Sequence, residues 1–300
     1  MTVQIGLALS GGGAKGIAHI GVLKVLEEAQ IPVRMLAGTS MGGVVAAVYA
    51  AGRSAVEIEQ FARSLRLLDI AQRDRTGLGL LGQDKMAGLL REALGGDLTF
   101  EQLKLDLALV AVDLEAGEEV IIREGSVVEG VLATTALPVI FPPLRWRGRL
   151  LIDGGVLNPV PFDVARRMGA DRVVAVHTRY DLSNALETEP PPRGRGAEAV
   201  IRLLLYRSHW TPLLHVSERS MGIMSRKLVE QRLQETPPDL MIDVPLKEVG
   251  LFDLDQVDVC LKAGEEATRQ CLPELIRLRD TPLPSRLSRW WQSLRQQLPG

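Results

Sequence analysis

Short apolar runs alternate along the chain with segments whose apolar residues recur at helical spacing. Residues 3–10 form an apolar, β-compatible run, and the spacing that follows predicts a helix over about 14–29. Pro32 then interrupts the chain before a second apolar run at 33–38. Residues 42–51 are small and apolar on all sides, which is typical of a buried helix. This order of strands and helices favours a parallel sheet with crossover helices.

The same alternation continues through most of the remaining chain, with Pro161 placed in the first turn of a helix. In chain order, the further predicted elements are helices at 55–68 and 83–94, strands at 106–113, 119–123 and 150–152, a helix ending near Gly169, a strand at 172–178, helices over most of 198–234, a strand at 240–244 and a closing helix at 254–272. We find no internal repeat. A single α/β domain over residues 1–280 accounts for this pattern.

Two segments differ from the pattern. Residues 181–197 are polar and contain three consecutive prolines, which predicts a surface loop at the start of a cover region, 181–235. The tail, 281–300, carries an apolar stripe of leucine and tryptophan, with arginines and no acidic residue from Pro284 onward. Two alternatives stay open for this amphipathic tail. It lies on an anionic membrane through 287–298, or it packs on this domain or on a second copy in a homo-oligomer.

Composition is that of an ordinary globular protein. The 300 residues are 46% hydrophobic and 24% charged, which excludes disordered and fibrous classes. The net charge of −2 argues against a nucleic-acid partner. Cys260 and Cys271 have no CxxC partner, which excludes a disulfide framework and a cysteine zinc site. We expect a cytoplasmic protein, because the N-terminus is unlike a signal peptide and the longest uncharged run, 35–52, is too glycine-rich to span a membrane.

The first glycine-rich motif, Gly11-Gly12-Gly13-Ala14-Lys15-Gly16, lies between the first predicted strand and helix. It satisfies the G-x-G-x-x-G pattern of dinucleotide-binding loops, but the second strand ends without the acidic residue that an adenosine ribose needs. A P-loop is excluded because Gly16, and neither Ser nor Thr, follows Lys15. Two readings remain: an anion site built from backbone N–H groups at the start of a helix, or a tight structural turn.

The second motif, Gly38-Thr39-Ser40-Met41-Gly42, matches G-x-S-x-G between a strand and a helix. In such a turn the serine is strained and exposed, and glycines flank it because larger side chains would clash. We expect Ser40 to face the loop of Gly11, Gly12 and Gly13 on the neighbouring strand. N–H donors beside a nucleophile suit acyl transfer, because they stabilise the charge that develops on the carbonyl oxygen.

The third motif, Asp153-Gly154-Gly155, follows another short strand, and its aspartate is either a base for Ser40 or a turn residue that caps its own loop. The order Ser40, Asp153, His177 would fit an α/β-hydrolase triad, but in that fold the nucleophile follows several strands and not the second. His177 reads better as a hydrogen-bonded strand-end residue, and His19 as a core or surface residue. Asp153 is therefore the leading base, in a dyad with Ser40.

Taken together, the motifs resemble the patatin-like phospholipase family, and in particular its small bacterial members related to neuropathy target esterase. The resemblance covers residues 3–180 and includes two further stretches, 133–143 and Asn158-Pro159-Val160-Pro161. It implies a three-layer α/β/α fold with a mainly parallel central sheet. Two positions depart from the family pattern: Lys15 stands where the family often has Arg, and Thr134 where it has Ser.

The resemblance implies a serine lipid acyl hydrolase for phospholipid or lysophospholipid esters, with Ser40 as nucleophile and Asp153 as base. It implies an oxyanion hole made by the N–H groups of Gly11, Gly12 and Gly13, and neither a metal nor an organic cofactor. The supporting motif positions are Lys15, Gly16, Gly38, Gly42, Gly154 and Gly155. The alternatives are a catalytically weak module that senses acyl groups on the same fold, and a nucleotide-dependent oxidoreductase.

Overall fold

The computed structural model describes residues 3–70, 72–179, 211–247 and 249–282. Within these ranges eight strands form one sheet. The strands are β1 (Ile5–Leu9), β2 (Val33–Thr39), β3 (Asp106–Asp113), β4 (Glu118–Ile122), β5 (Leu144–Trp146), β6 (Arg149–Asp153), β7 (Arg172–Arg179) and β8 (Leu240–Pro245). The predicted loop at 181–197 and the stripe at 287–298 lie outside the described residues.

The same ranges contain ten α-helices and three short 3₁₀ helices. The α-helices are α1 (Ala18–Glu28), α2 (Met41–Ala50), α3 (Ala55–Ser64), α4 (Leu67–Ile70), α5 (Asp84–Leu94), α6 (Val127–Thr134), α7 (Phe162–Arg167), α8 (Thr211–Glu235), α9 (Val257–Gln270) and α10 (Leu272–Asp280). The 3₁₀ helices are Gly13–Ile17, Phe100–Gln102 and Gly154–Val156. Among the described helices, none is both long and apolar enough to cross a membrane.

Strand pairing brings the end of β2 and the end of β6 together beside β3. Strands β8, β7, β1, β2 and β3 pair in parallel, whereas β4 and β6 run antiparallel to β3. Thr39 of β2 lies opposite Val110 of β3, and Asp153 of β6 lies opposite the next residue, Ala111. Residues 111–113 also pair with β4, so β4 occupies the other edge of β3. The carboxyl ends of β2 and β6 therefore meet on one edge of β3.

Two apolar layers cover the sheet, because side chains alternate between its faces. Leu7 and Leu9 of β1 join a core that includes residues of α1, α2, α3, α5, α6, α9 and α10. Ala8 of β1 and Ala175 of β7 point to the opposite face, where they pack with α7 and with Val229 of α8. The chain thus has the expected α/β fold with helices on both faces of a mainly parallel sheet.

Several elements differ from the sequence prediction. The predicted helix at 55–68 is two helices, because Leu65 has an extended backbone that ends α3. The predicted closing helix at 254–272 stops at Gln270, and a new helix, α10, begins at Leu272 with Pro273 in its first turn. Helix α6 and strand β5 were not predicted. Helix α6 is short and rich in β-branched residues, which have low helix propensity, and burial stabilises it instead.

Candidate active site

Ser40 occupies the sharp turn between β2 and α2. Its φ of 53° lies in the left-handed region that non-glycine residues rarely adopt. The Ser40 N–H donates to Thr134 Oγ1 at 2.9 Å, and the Thr134 hydroxyl donates to the carbonyl oxygen of Val110. Gly42 is required next to this turn, because a Cβ there would collide with the carbonyl oxygen of Leu9. The neighbouring strands and α6 thus hold the strained serine in place.

Asp153, the last residue of β6, is 1% exposed and contacts Ser40 directly. The Ser40 hydroxyl donates to Asp153 Oδ2 at 2.6 Å, and the Gly155 N–H donates to Oδ1 at 2.7 Å. Burial raises the pKa of Asp153 to about 6, against the opposing effect of these two hydrogen bonds. The carboxylate is therefore ionised at neutral pH, yet it accepts a proton more readily than an exposed aspartate.

The glycine loop 11–13 is anchored at Ser10, which precedes it, and at its first residue, Gly11. The carbonyl oxygen of Ser10 accepts a hydrogen bond from His19 Nε2 at 2.8 Å. The Gly11 N–H donates to the Pro159 carbonyl at 3.0 Å, and the Gly11 carbonyl accepts from the Thr178 hydroxyl at 2.8 Å. Of the three amides predicted to receive the oxyanion, that of Gly11 is thus already engaged. The amides of Gly12 and Gly13 have no acceptor in the part of the chain that the structure describes.

His19 is fully buried in α1, close to this loop. Burial lowers the pKa of His19 to about 4, so the ring is neutral at neutral pH. A carbonyl oxygen only accepts, so Nε2 carries the proton, and His19 Nδ1 has no hydrogen-bond partner among residues 3–70, 72–179, 211–247 and 249–282. His19 therefore fixes the backbone that leads into the loop.

His177 lies on β7 and pairs with Asp243, its register partner on β8. The distance between His177 Nδ1 and Asp243 Oδ1 is 3.3 Å, and Arg179 contacts the other oxygen of Asp243 at 2.8 Å. The carboxylate of Asp153 has its hydrogen bonds with Ser40 and Gly155 instead. The interpretation of His177 as a strand-end residue with a polar partner agrees with this geometry.

A cavity of about 120 Å³ opens beside Ser40, Asp153 and the loop 11–13. Most of its remaining lining is apolar. The apolar lining residues are Met41, Val44, Ile70, Met86, Leu137, Phe141, Pro159, Met221, Leu251, Phe252 and Leu254. A hydroxyl, its carboxylate acceptor and two unengaged amides therefore face an apolar space, which is a suitable arrangement for acyl transfer from an apolar ester.

The other predicted motif residues lie around this centre. Lys15 and Gly16 belong to the 3₁₀ helix Gly13–Ile17, and Lys15 is 5% exposed there. Gly38 is in β2. Gly154 and Gly155 form the turn after Asp153. Within the described ranges, no group of three or more His, Cys, Asp or Glu side chains is arranged to hold a metal ion.

The residues that position the glycine loop were not predicted from the sequence. Thr178 hydrogen-bonds to Ser10, which is 168 positions away in the chain. No local spacing could reveal that contact, because it depends on the pairing of β1 with β7. Thr134 and Pro159 lie in stretches that carry the family resemblance, so the sequence marked their region but not their roles.

Comparison with known proteins identifies relatives of this chain. The family model described as patatin-like phospholipase matches residues 7–166. An NTE family protein of Mycobacterium tuberculosis is 37% identical over 191 residues, which cover 62% of this chain and 52% of that protein. A second is 30% identical over 291 residues, covering 91% of this chain and 48% of that protein. Mouse patatin-like phospholipase domain-containing protein 6 is 37% identical over 196 residues, 62% of this chain and 14% of that protein.

The chain spans about half the length of the mycobacterial relatives that it matches. Among solved structures, VipD from Legionella pneumophila has a TM-score of 0.56 at 16% identity, covering 91% of this chain and 67% of that one. The type III effector ExoU has a TM-score of 0.50 at 15% identity, covering 92% and 53%. Both likenesses concern the fold alone. The family match at 7–166 includes the serine turn, the aspartate and the glycine loop that the fold brings together, and the chain belongs to the patatin-like phospholipase family.

Proposed function

We propose that this chain is a serine hydrolase that cleaves carboxylic esters of phospholipids or lysophospholipids through an acyl intermediate on Ser40. The observation that carries the proposal is the 2.6 Å hydrogen bond from the Ser40 hydroxyl to buried Asp153. A nucleophile and its base are in direct contact there, beside two amides that have no acceptor in the described part of the chain. Family membership supports lipid hydrolysis in general.

In the acylation half, Ser40 Oγ attacks the ester carbonyl carbon while Asp153 takes the hydroxyl proton. The carbonyl oxygen becomes negative and receives hydrogen bonds from the Gly12 and Gly13 amides. One donor of this kind is worth about 10²–10³ in rate. Collapse of the intermediate breaks the bond to the alcohol oxygen, which takes the proton from Asp153. The acyl group is then left on Ser40.

In the deacylation half, water attacks the acyl carbon and Asp153 accepts its proton. The same amides stabilise the second oxyanion, and Ser40 leaves and recovers the proton from Asp153. Each half begins and ends with Asp153 ionised. A carboxyl with a pKa of about 6 suits both roles, because it can gain and lose a proton near neutral pH.

Labelling with a fluorophosphonate tests the nucleophile. We expect the wild-type chain to be labelled on Ser40 and to hydrolyse p-nitrophenyl butyrate continuously, whereas Ser40→Ala should show neither reaction. Ser64→Ala, which changes an exposed serine of α3, is the matched control. Unchanged turnover by Ser40→Ala would overturn the proposal. A burst of p-nitrophenol without a steady phase would favour the acyl-sensing alternative.

A further inference from the structure

Most polar side chains in the cavity wall already have partners within the protein. The hydroxyls of Ser10 and Thr178 lie 3.1 Å apart, and that of Thr178 also donates to Gly11. The Thr135 hydroxyl donates to the carbonyl oxygen of Val131 at 2.7 Å. These groups hold the wall together, so their hydrogen-bonding capacity is used before a substrate enters.

Two lining side chains differ from these. Ser225 of α8 is 7% exposed, and its hydroxyl has no hydrogen-bond partner within the described ranges. His177 uses Nδ1 for Asp243, while its Nε2 has no partner among the described residues. Each side chain lines the cavity with a polar atom that has no partner among the described residues, so both groups are suited to bind a polar part of a ligand.

Both side chains are held in position by other contacts. A hydrogen bond with His177, and the charge of Arg179, lower the pKa of Asp243, so its carboxylate is ionised and can only accept. Nδ1 of His177 faces this carboxylate, so Nε2 is the atom left for a ligand. Helix α8, which carries Ser225, is anchored by Arg232, whose guanidinium contacts Asp163 at 2.9 Å.

The two faces of the sheet divide the cavity wall. Val44 and Met86 belong to the helices of the larger core. His177 points to the opposite face, because it is two residues beyond Ala175 on β7, and α8 packs on that face through Val229. One side of the wall is thus apolar, and the other presents an imidazole nitrogen and a hydroxyl beside Met221.

We propose that His177 and Ser225 form a leaving-group subsite that binds the alcohol half of the ester, while the acyl chain lies against the Val44 and Met86 side. An imidazole nitrogen and a hydroxyl can both form hydrogen bonds, and they complement an alcohol that carries hydrogen-bonding groups of its own. Glycerol in a monoacylglycerol and glycerophosphate in a lysophospholipid share that chemistry, and a simple alkyl alcohol lacks it. This inference rests on the proposed ester hydrolysis.

The test compares kcat/KM for 1-oleoylglycerol, oleoyl-lysophosphatidylcholine and ethyl oleate, which share the acyl chain and differ in the alcohol. We expect Ser225→Ala and His177→Leu each to lower the preference for the glycerol-based esters over ethyl oleate by about three- to tenfold, the value of one hydrogen bond. His177→Gln should restore part of the preference, because its side-chain amide can still form a hydrogen bond with the alcohol. Ser220→Ala, an exposed serine on the same helix, is the matched control.

The outcomes separate the two proposals. Equal losses of kcat/KM on all three esters would mean that the residues only support the fold. Unchanged kcat/KM on all three would mean that they do not touch the alcohol. Either result overturns the subsite. A loss of preference for both glycerol-based esters supports recognition of the glycerol hydroxyls, and a loss for the lysophospholipid alone supports recognition of the phosphate. Turnover that persists in Ser40→Ala would instead overturn the proposed function. Thermal unfolding of each variant checks that it is folded.

Discussion

At the residue scale, the environment of Asp153 sets the conditions under which it can act as a base. Two opposing influences meet at this side chain. Burial disfavours its ionised form, and hydrogen bonds from Ser40 and Gly155 favour that form. Burial has the larger effect, so the pKa of Asp153 is about 6 and not near the ordinary value of 3.8. In the proposed mechanism, Asp153 can act as a base only when this carboxyl has lost its proton.

This raised pKa predicts the pH dependence of hydrolysis. Because protonated Asp153 cannot accept the Ser40 proton, kcat/KM should rise with pH through a midpoint of about 6 and level off above it. The measurement is the rate of p-nitrophenyl butyrate hydrolysis at low substrate concentration between acidic and mildly alkaline pH. A midpoint near the ordinary aspartate value would mean that the base is an exposed carboxyl and not Asp153.

At the scale of elements, strand β7 determines how the glycine loop is held next to β1. The end of β7 supplies Thr178, whose N–H donates to the Ser10 hydroxyl and whose own hydroxyl donates to Gly11. The adjacent amides of Gly12 and Gly13 have their orientation fixed by these contacts and by the Gly11 bond to Pro159. The proposed oxyanion hole thus depends on the pairing of two strands.

Replacing Thr178 by valine tests this dependence. Valine keeps the shape but removes the hydroxyl, so we expect kcat to fall about tenfold as the loop loosens, with a smaller effect on KM. Thr268→Val is the matched control, because Thr268 is a fully buried threonine of α9 whose hydroxyl donates to Gly264. Both variants should lose about 1 kcal/mol of stability. If kcat falls equally in the two, the loop has no special dependence on Thr178.

At the scale of the whole molecule, the sheet topology brings together candidate site residues that lie far apart in the sequence. Most of the strands, the three glycine motifs and the pairing of Ser40 with Asp153 were predictable, because short motifs at strand ends carry strong local signals. The end-to-end meeting of β2 and β6 was not, because it depends on the register of two strands along one edge of β3. Thr178 acts through a contact with Ser10, 168 positions away, and no local pattern marks it. His19 contacts Ser10 from only nine positions away, but no motif marks that contact either.

The fold also explains why one side of the cavity could be predicted less well than the other. Residues from α2 and from the loop after β1 are local to the motifs, so their place beside Ser40 follows from the sequence. Ser225 reaches the cavity from α8, which packs on the opposite face of the sheet through Val229. Apolar packing and a long-range ion pair such as Arg232–Asp163 hold this helix, and neither leaves a motif in the sequence.

The most direct test of the Ser40–Asp153 dyad is the hydrolysis of p-nitrophenyl butyrate by Asp153→Asn. Asparagine has the same shape and can still accept the Gly155 N–H through its side-chain oxygen, but it cannot take up the Ser40 proton. We expect a folded protein whose kcat is lower by about 10²–10⁴ across the whole pH range. A folded Asp153→Asn variant that retains the wild-type rate would contradict the assignment of Asp153 as the base.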